Sequence, residues 1–173
     1  QGAVDKTTGA PIPADSDSLI LAMNGGKPMS ARLMWEFARA AMDVELKRGR
    51  KAVHTFLEDT YGKKQWTRAP IHDLLASIKP HYVIDINRDT QLQDTYADQP
   101  HTLIRGTARV MGTNYRFTIN EYSGSGGYRE ITQEEVNPAL PILFKPMGSP
   151  RPDAVYIASD ADYVDYITEL MGG

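Results

Sequence analysis

His81-Tyr-Val-Ile-Asp-Ile-Asn-Arg-Asp-Thr-Gln-Leu-Gln-Asp94 reads as a buried strand, then a polar turn, then the start of a helix. Tyr82, Val83, Ile84 and Ile86 are aromatic or β-branched and follow Pro80, the composition and punctuation of a short strand. Asn87 and Asp89 then fall at the strand's carboxyl end. In an open α/β sheet that end is where ligands bind, so an Asn and an Asp two residues apart there could hold a ribose or a water. A plainer reading uses the same residues: Asn87 is a turn residue, and Asp89 or Thr90 is an N-cap whose side chain accepts from a free N–H of the first helical turn.

Upstream, residues 1–17 carry Gly, Pro, Asp, Ser and Thr without periodicity and predict an irregular arm. Residues 18–23 predict a short buried strand leading into Asn24-Gly25-Gly26-Lys27-Pro28-Met29-Ser30. Strand, glycine turn and helix together can cradle a phosphate at a helix N-terminus, which makes Gly25 and Gly26 candidate cofactor-binding residues; a plain strand-to-helix turn explains them as well. Ser30 is a good cap for a helix over 31–48, with Leu33, Met34, Phe37, Ala41 and Val44 on one face and Gly49 ending it. A second helix spans 51–61 with Val53, Phe56 and Leu57 inward. Pro70 suits the first turn of a third helix, whose apolar stripe is Ile71, Leu74, Leu75 and Ile78.

Downstream, 89–97 predicts a helix with Leu92 and Tyr96 inward. Segments 102–110 and 115–122 then predict a β-hairpin, with Tyr115, Phe117 and Ile119 alternating with Arg116, Thr118 and Asn120. Residues 123–127 form a glycine-rich loop, and 140–144 and 154–158 are further strands. Ser159 with Asp162 three residues on has the spacing of a capping box for a last helix bearing Tyr163, Tyr166, Ile167 and Leu170.

The 173 residues favour a single domain, with 41% hydrophobic and 24% charged residues. A net charge of −3 gives no signal for nucleic-acid binding. The absence of cysteine excludes disulfides, thiolate nucleophiles and cysteine-ligated zinc. The longest apolar runs are too short to span a bilayer, so no membrane association and a cytoplasmic protein are the expectation. The four histidines include no i, i+4 pair, so no metal is expected.

Asp85-Ile86-Asn87-Arg88-Asp89 resembles the Thr-x-Asn-x-Asp segment of the sirtuin superfamily, especially its divergent bacterial sirtuin-like branch. Ile71-His72-Asp73-Leu74-Leu75 ahead of it, Lys145-Pro146-Met147-Gly148-Ser149 behind it, and Asp162-Tyr163 resemble other blocks of that family in family order. The resemblance implies an α/β fold: a Rossmann-like, mostly parallel sheet flanked by helices, with the β-hairpin inserted. After the arm of 1–17, residues 18–173 would form one sirtuin-like domain that lacks or does not show the usual C-terminal strand. It also implies NAD as cofactor, held by Gly25, Gly26, Asn87, Asp89, Gly148 and Ser149. Asn87 would orient water or ribose and Asp89 would contact the nicotinamide side. The family's general-base histidine falls on Met147, and a thioether takes no proton at neutral pH.

Two functions compete on these grounds. One is a non-catalytic or weakly catalytic accessory protein acting by protein contact; Asn87-Arg88-Asp89-Thr90-Gln91-Leu92 is similar to sirtuin-like proteins found among nitrogen-fixation genes, which implies nitrogenase as partner. The other is a divergent NAD-consuming enzyme, a hydrolase or deacylase, using His101 or another base. For the first, the hairpin and its loop are expected to expose Arg105, Arg109, Arg116 and Tyr122, residue types enriched at interfaces.

Overall fold

The computed structural model describes residues 3–108 and 116–172. In chain order they form α1 (Ser16–Met23), α2 (Ala31–Met34), α3 (Phe37–Arg48), α4 (Arg50–Leu57), a π-helical turn (Glu58–Gly62), α5 (Pro70–Ile78), β1 (Tyr82–Ile84) and α6 (Gln91–Thr95). There follow β2 (His101–Gly106), β3 (Phe117–Tyr122), β4 (Tyr128–Glu130), a 3-10 turn (Gln133–Glu135), β5 (Ile142–Lys145), β6 (Gly148–Ser149), β7 (Val155–Tyr156) and α7 (Asp160–Gly172). The chain divides into two compact units, Gln1–Thr67 with Ile157–Gly173, and Arg68–Tyr156.

The first unit is helical. Residues 18–23, expected as a strand, lie in α1. Its start is set by Asp15, whose carboxylate accepts from the Ser18 N–H at 2.9 Å and from the Ser18 hydroxyl at 2.7 Å. Its end is set by Gly25 and Gly26, both at positive φ: the Gly26 N–H donates to the Leu21 carbonyl and the Gly25 N–H to that of Ala22, the paired bonds of a Schellman ending. A five-residue apolar run carries no period of its own, and these caps decide for helix. Leu19, Ile20 and Met23 are its buried residues.

The single helix expected over 31–48 is two helices, because Glu36 adopts an extended backbone between α2 and α3. No Gly or Pro lies at the break; α2 packs against α1 and α3, and this packing overrides propensity. Gly49, at positive φ, ends α3 as expected. The arm has no helix before Ser16, yet it is tied down: Val4 bridges Pro11, Asp5 bridges Trp66, and the Asp5 carboxylate accepts from the Thr7 and Gln65 N–H groups at 3.1 and 3.2 Å. The capping box of α7 forms as its spacing predicts. The Asp162 N–H donates to the Ser159 hydroxyl, and the Asp162 carboxylate accepts from the Ser159 N–H at 3.2 Å.

The second unit is a mixed α/β layer. Its five-stranded sheet has the order β1-β5-β2-β3-β4; β1, β5 and β2 run parallel, and β2, β3 and β4 form an antiparallel meander. One face carries Val83, Leu143 and Leu103, packed with Leu92 of α6, Tyr96 at its C-cap, Leu75 of α5 and Tyr128. β1 is therefore an edge strand and not the buried central one that its composition predicts. Tyr82, Ile84 and Ile86 alternate with inward residues and stand 69%, 71% and 70% exposed. On α5 likewise only Leu75 of the apolar stripe joins the core, while Ile71, Leu74 and Ile78 are exposed.

The hairpin is present as β2 and β3; its expected turn, 111–114, and the flanking residues 109, 110 and 115 lie outside the described residues. Its phase is opposite to expectation: Asn120 of β3 and Arg116 just before it are buried, and Phe117 and Ile119 are half-buried. β4 was not foreseen, because the glycines at 124, 126 and 127 mask a three-residue strand beyond the turn. The strand expected over 154–158 shrinks to β7, which pairs with β6 in a two-stranded antiparallel ribbon. No helix of the described residues is long and apolar enough to cross a membrane.

Candidate functional site

The carboxyl ends of β1 and β5 lie side by side, and each apolar strand ends in a charge. Asp85 extends β1 by donating its N–H to the Phe144 carbonyl at 2.9 Å. Its carboxylate accepts from the Lys145 ammonium at 2.8 Å, with Lys145 fully buried and the Asp85 side chain 16% exposed. The other Asp85 oxygen takes the Asn87 N–H at 2.9 Å and the Asn87 side-chain amide at 3.0 Å, which closes the turn after the strand. Asn87 is thus exposed at the strand end but oriented by Asp85.

Asp89 is buried, and its carboxylate accepts from the Gln91 N–H at 2.8 Å. Thr90 occupies the N-cap position of α6, but its hydroxyl donates to the Asp94 carboxylate at 3.4 Å and caps no backbone N–H, so the capping role falls to Asp89 one residue earlier. Burial pushes the Asp89 carboxyl above its ordinary value. The Lys145 charge, the Gln91 N–H and His72 pull it back, and the neighbouring Asp85 adds to the rise. The side chain of His72, on α5, accepts from the Ala69 N–H at 2.9 Å through Nδ1.

Gly148 and Ser149, which close the segment 145–149, are enclosed. Gly148 has φ +85°, and a Cβ on it would overlap the Val155 carbonyl across the β6–β7 ribbon. Ser149 is fully buried, and its hydroxyl accepts from the Gln93 side-chain amide at 2.7 Å. Neither offers an open contact to a cofactor, so within this unit any fit to NAD rests on Asn87 and Asp89. Met147 is half-buried between β5 and β6. Gly25 and Gly26 lie in the other unit and end a helix, which removes the strand-to-helix phosphate turn that their sequence suggested.

His101, the alternative base, is fully buried. Its Nδ1 bonds the Gln99 carbonyl at 2.8 Å and its Nε2 the Tyr128 hydroxyl at 2.7 Å. Burial holds its pKa below the usual histidine value, and the same burial raises that of Tyr128. A histidine with both nitrogens engaged and no exposure cannot reach a ribose hydroxyl. Arg105 and Arg116, expected at a partner surface, are buried at 1% and 4% exposure, and the β2–β3 hairpin has strands on both sides. Tyr122 is half-buried and donates its hydroxyl to the Ala97 carbonyl at 2.8 Å. Arg109 lies outside the described residues.

Sequence reasoning passed over the Asp85–Lys145 pair. Its signal was available: opposite charges interrupt two apolar strands, and parallel pairing in register makes them neighbours. No model of a known protein family matches the chain, and no curated protein matches it.

Proposed function

We propose that the chain is a sirtuin-like domain, Rossmann-like in its parallel half, that binds its ligand without enzymatic turnover and serves as an accessory protein to a partner protein. The observation that carries this reading is Met147. It follows β5, the strand parallel and adjacent to β1, so Asn87 and Asp89 and the family's base position come from neighbouring strand ends. A thioether at that position accepts no proton. The enclosed His101 supplies no substitute. For a partner, the available contact is the outer edge of β1, where Tyr82, Ile84 and Ile86 flank a strand edge that no strand of the described residues pairs, suited to an added strand from another protein. The resemblance makes nitrogenase the first partner to test.

Purified protein with excess NAD is expected to release nicotinamide far more slowly than about 1 per second. Release at that rate, abolished by Asn87→Ala or Asp89→Ala, overturns the proposal. Purified nitrogenase components are expected to bind the chain on a biosensor surface and to lose it with Ile84→Lys.

A second reading, a divergent NAD hydrolase or deacylase, is favoured by one observation: His72 is half-buried and interacts electrostatically with Asp89. Nicotinamide release lost with His72→Ala selects this reading over the first.

A further inference from the structure

Three buried cations gather toward one end of the sheet, and one of them is held by a partner that lies at the surface. Arg105 of β2 and Lys145 of β5 are register partners on adjacent parallel strands, so they share a face at the carboxyl ends, the position where open sheets take ligands. Both are buried, and Arg116 is buried beside the same end of β3. Lys145 has Asp85 as its counter-ion. Arg105 is met by the Asn120 side-chain oxygen at 3.2 Å and by Asp153, whose backbone carbonyl and carboxylate accept from the two terminal nitrogens at 2.6 and 2.8 Å. The Arg105 Nε–H has no partner among the described residues.

The asymmetry of this pair is informative. The Arg105 side chain is 1% exposed and that of Asp153 is 70% exposed. Asp153 sits in the short connection of residues 150–154 between β6 and β7, which also carries an ion pair of Arg151 with Asp94 at 2.7 Å, both about half exposed. The Arg151–Asp94 pair, exposed on both sides, contributes about 0–1 kcal/mol. Beyond the bonds of Asp153 itself, this connection therefore has, among the described residues, only that pair and the Arg151 N–H to the Ser149 hydroxyl at 3.5 Å to hold it over the guanidinium. Two oxygens of one residue fill the guanidinium fork, the arrangement that two oxygens of a phosphate adopt on arginine.

We propose that Arg105, with Lys145 beside it, forms a binding site for a phosphate-bearing ligand, and that Asp153 occupies it as an internal stand-in that the ligand displaces. The site is independent of the sirtuin resemblance and of NAD: inorganic pyrophosphate is a sufficient probe, whatever the outcome with NAD.

The test is calorimetric titration of the full chain with inorganic pyrophosphate at low ionic strength, comparing wild type, Asp153→Ala and Asp153→Ala/Arg105→Met. Asp153→Ala is expected to bind pyrophosphate at least tenfold tighter than wild type, and the added Arg105→Met to abolish the gain. Where the double variant does not fold, Asp153→Ala/Arg105→Lys replaces it; keeping the charge but losing the fork is expected to weaken binding tenfold. Titration of Asp153→Ala with ADP and with adenosine separates a nucleotide phosphate from a free anion: tighter binding of ADP than of pyrophosphate assigns a nucleotide, equal or weaker binding a free anion, and adenosine is expected to give no heat. Asp153→Ala that binds pyrophosphate no tighter than wild type makes the Arg105–Asp153 pair purely structural and overturns the proposal, as does binding that survives loss of Arg105.

Discussion

Replacing Lys145 with methionine removes the ammonium and keeps most of the aliphatic stem. The side chain is fully buried, and its partner Asp85 retains 16% exposure and two bonds from Asn87. Breaking a buried ion pair by deleting one partner costs about 3–5 kcal/mol, because the remaining charge is left uncompensated. Asp85 is partly hydrated and still hydrogen-bonded, so Lys145→Met belongs at the lower end, about 3 kcal/mol. For a chain of this size that is a fall in Tm of about 6–12 °C. Asp85→Asn strands a fully buried ammonium and is expected to cost more, about 5 kcal/mol. The double variant restores neutrality and is expected to recover about 2 kcal/mol or more of the summed single losses. Urea unfolding followed by circular dichroism, with the m-value held constant across the four proteins, measures the cycle. A Lys145→Met loss below about 1 kcal/mol, or strictly additive singles, refutes the reasoning, since either means that the ammonium and carboxylate are not coupled.

Asp89→Asn keeps the acceptor for the Gln91 N–H and removes a carboxylate whose pKa is raised by burial. The carboxyl's contribution to stability is fully present below its unfolded pKa near 3.8 and is lost as pH rises through the folded value. The variant should therefore match or exceed wild type in urea at pH 7, with the advantage shrinking toward pH 4. His101 has a folded pKa below the unfolded value near 6.5, so stability should fall as pH drops from 6.5 through the folded value. His101→Gln should flatten that slope in thermal melts between pH 7 and 5, and an unchanged slope would assign it to other groups. Gly148→Ala must adopt φ +85° and meet the Val155 carbonyl; it should lose about 1–3 kcal/mol from backbone strain and more from the overlap, read as a lowered Tm.

Elements with their own punctuation were legible in the sequence. Pro70 opened α5, Gly49 closed α3, and Ser159 with Asp162 built the box that starts α7. α1 was not legible: five apolar residues fit strand and helix equally, and the deciding Asp15 lay inside what read as an irregular arm. β1 was legible as a strand but not as an edge, because Tyr82, Ile84 and Ile86 have the same side chains whether buried or exposed, and position in the sheet depends on pairing with β5 far along the chain. Asn87 and Asp89 were placed correctly at a strand's carboxyl end. Arg105 and Arg116 were misplaced because arginine is mostly exposed, and only the fold supplies the Asp153 and Asn120 partners that let Arg105 be buried.

Asp85 and Lys145 are 60 residues apart in sequence. Synthesis proceeds at about 5–20 residues per second, so a new chain carries β1 for about 3–12 s before β5 emerges to pair with it. Throughout that interval Tyr-Val-Ile-Asp-Ile is an unsheathed adhesive segment. The aspartate within it is then a solvated negative charge that discourages neighbouring nascent chains from zipping onto it, as gatekeeper residues do. When Lys145 arrives the same carboxylate becomes the counter-ion that fixes strand register. Exchanging Asp85 for an uncharged residue therefore has a cost during biogenesis, in yield of soluble chain, that no equilibrium measurement on the finished protein records.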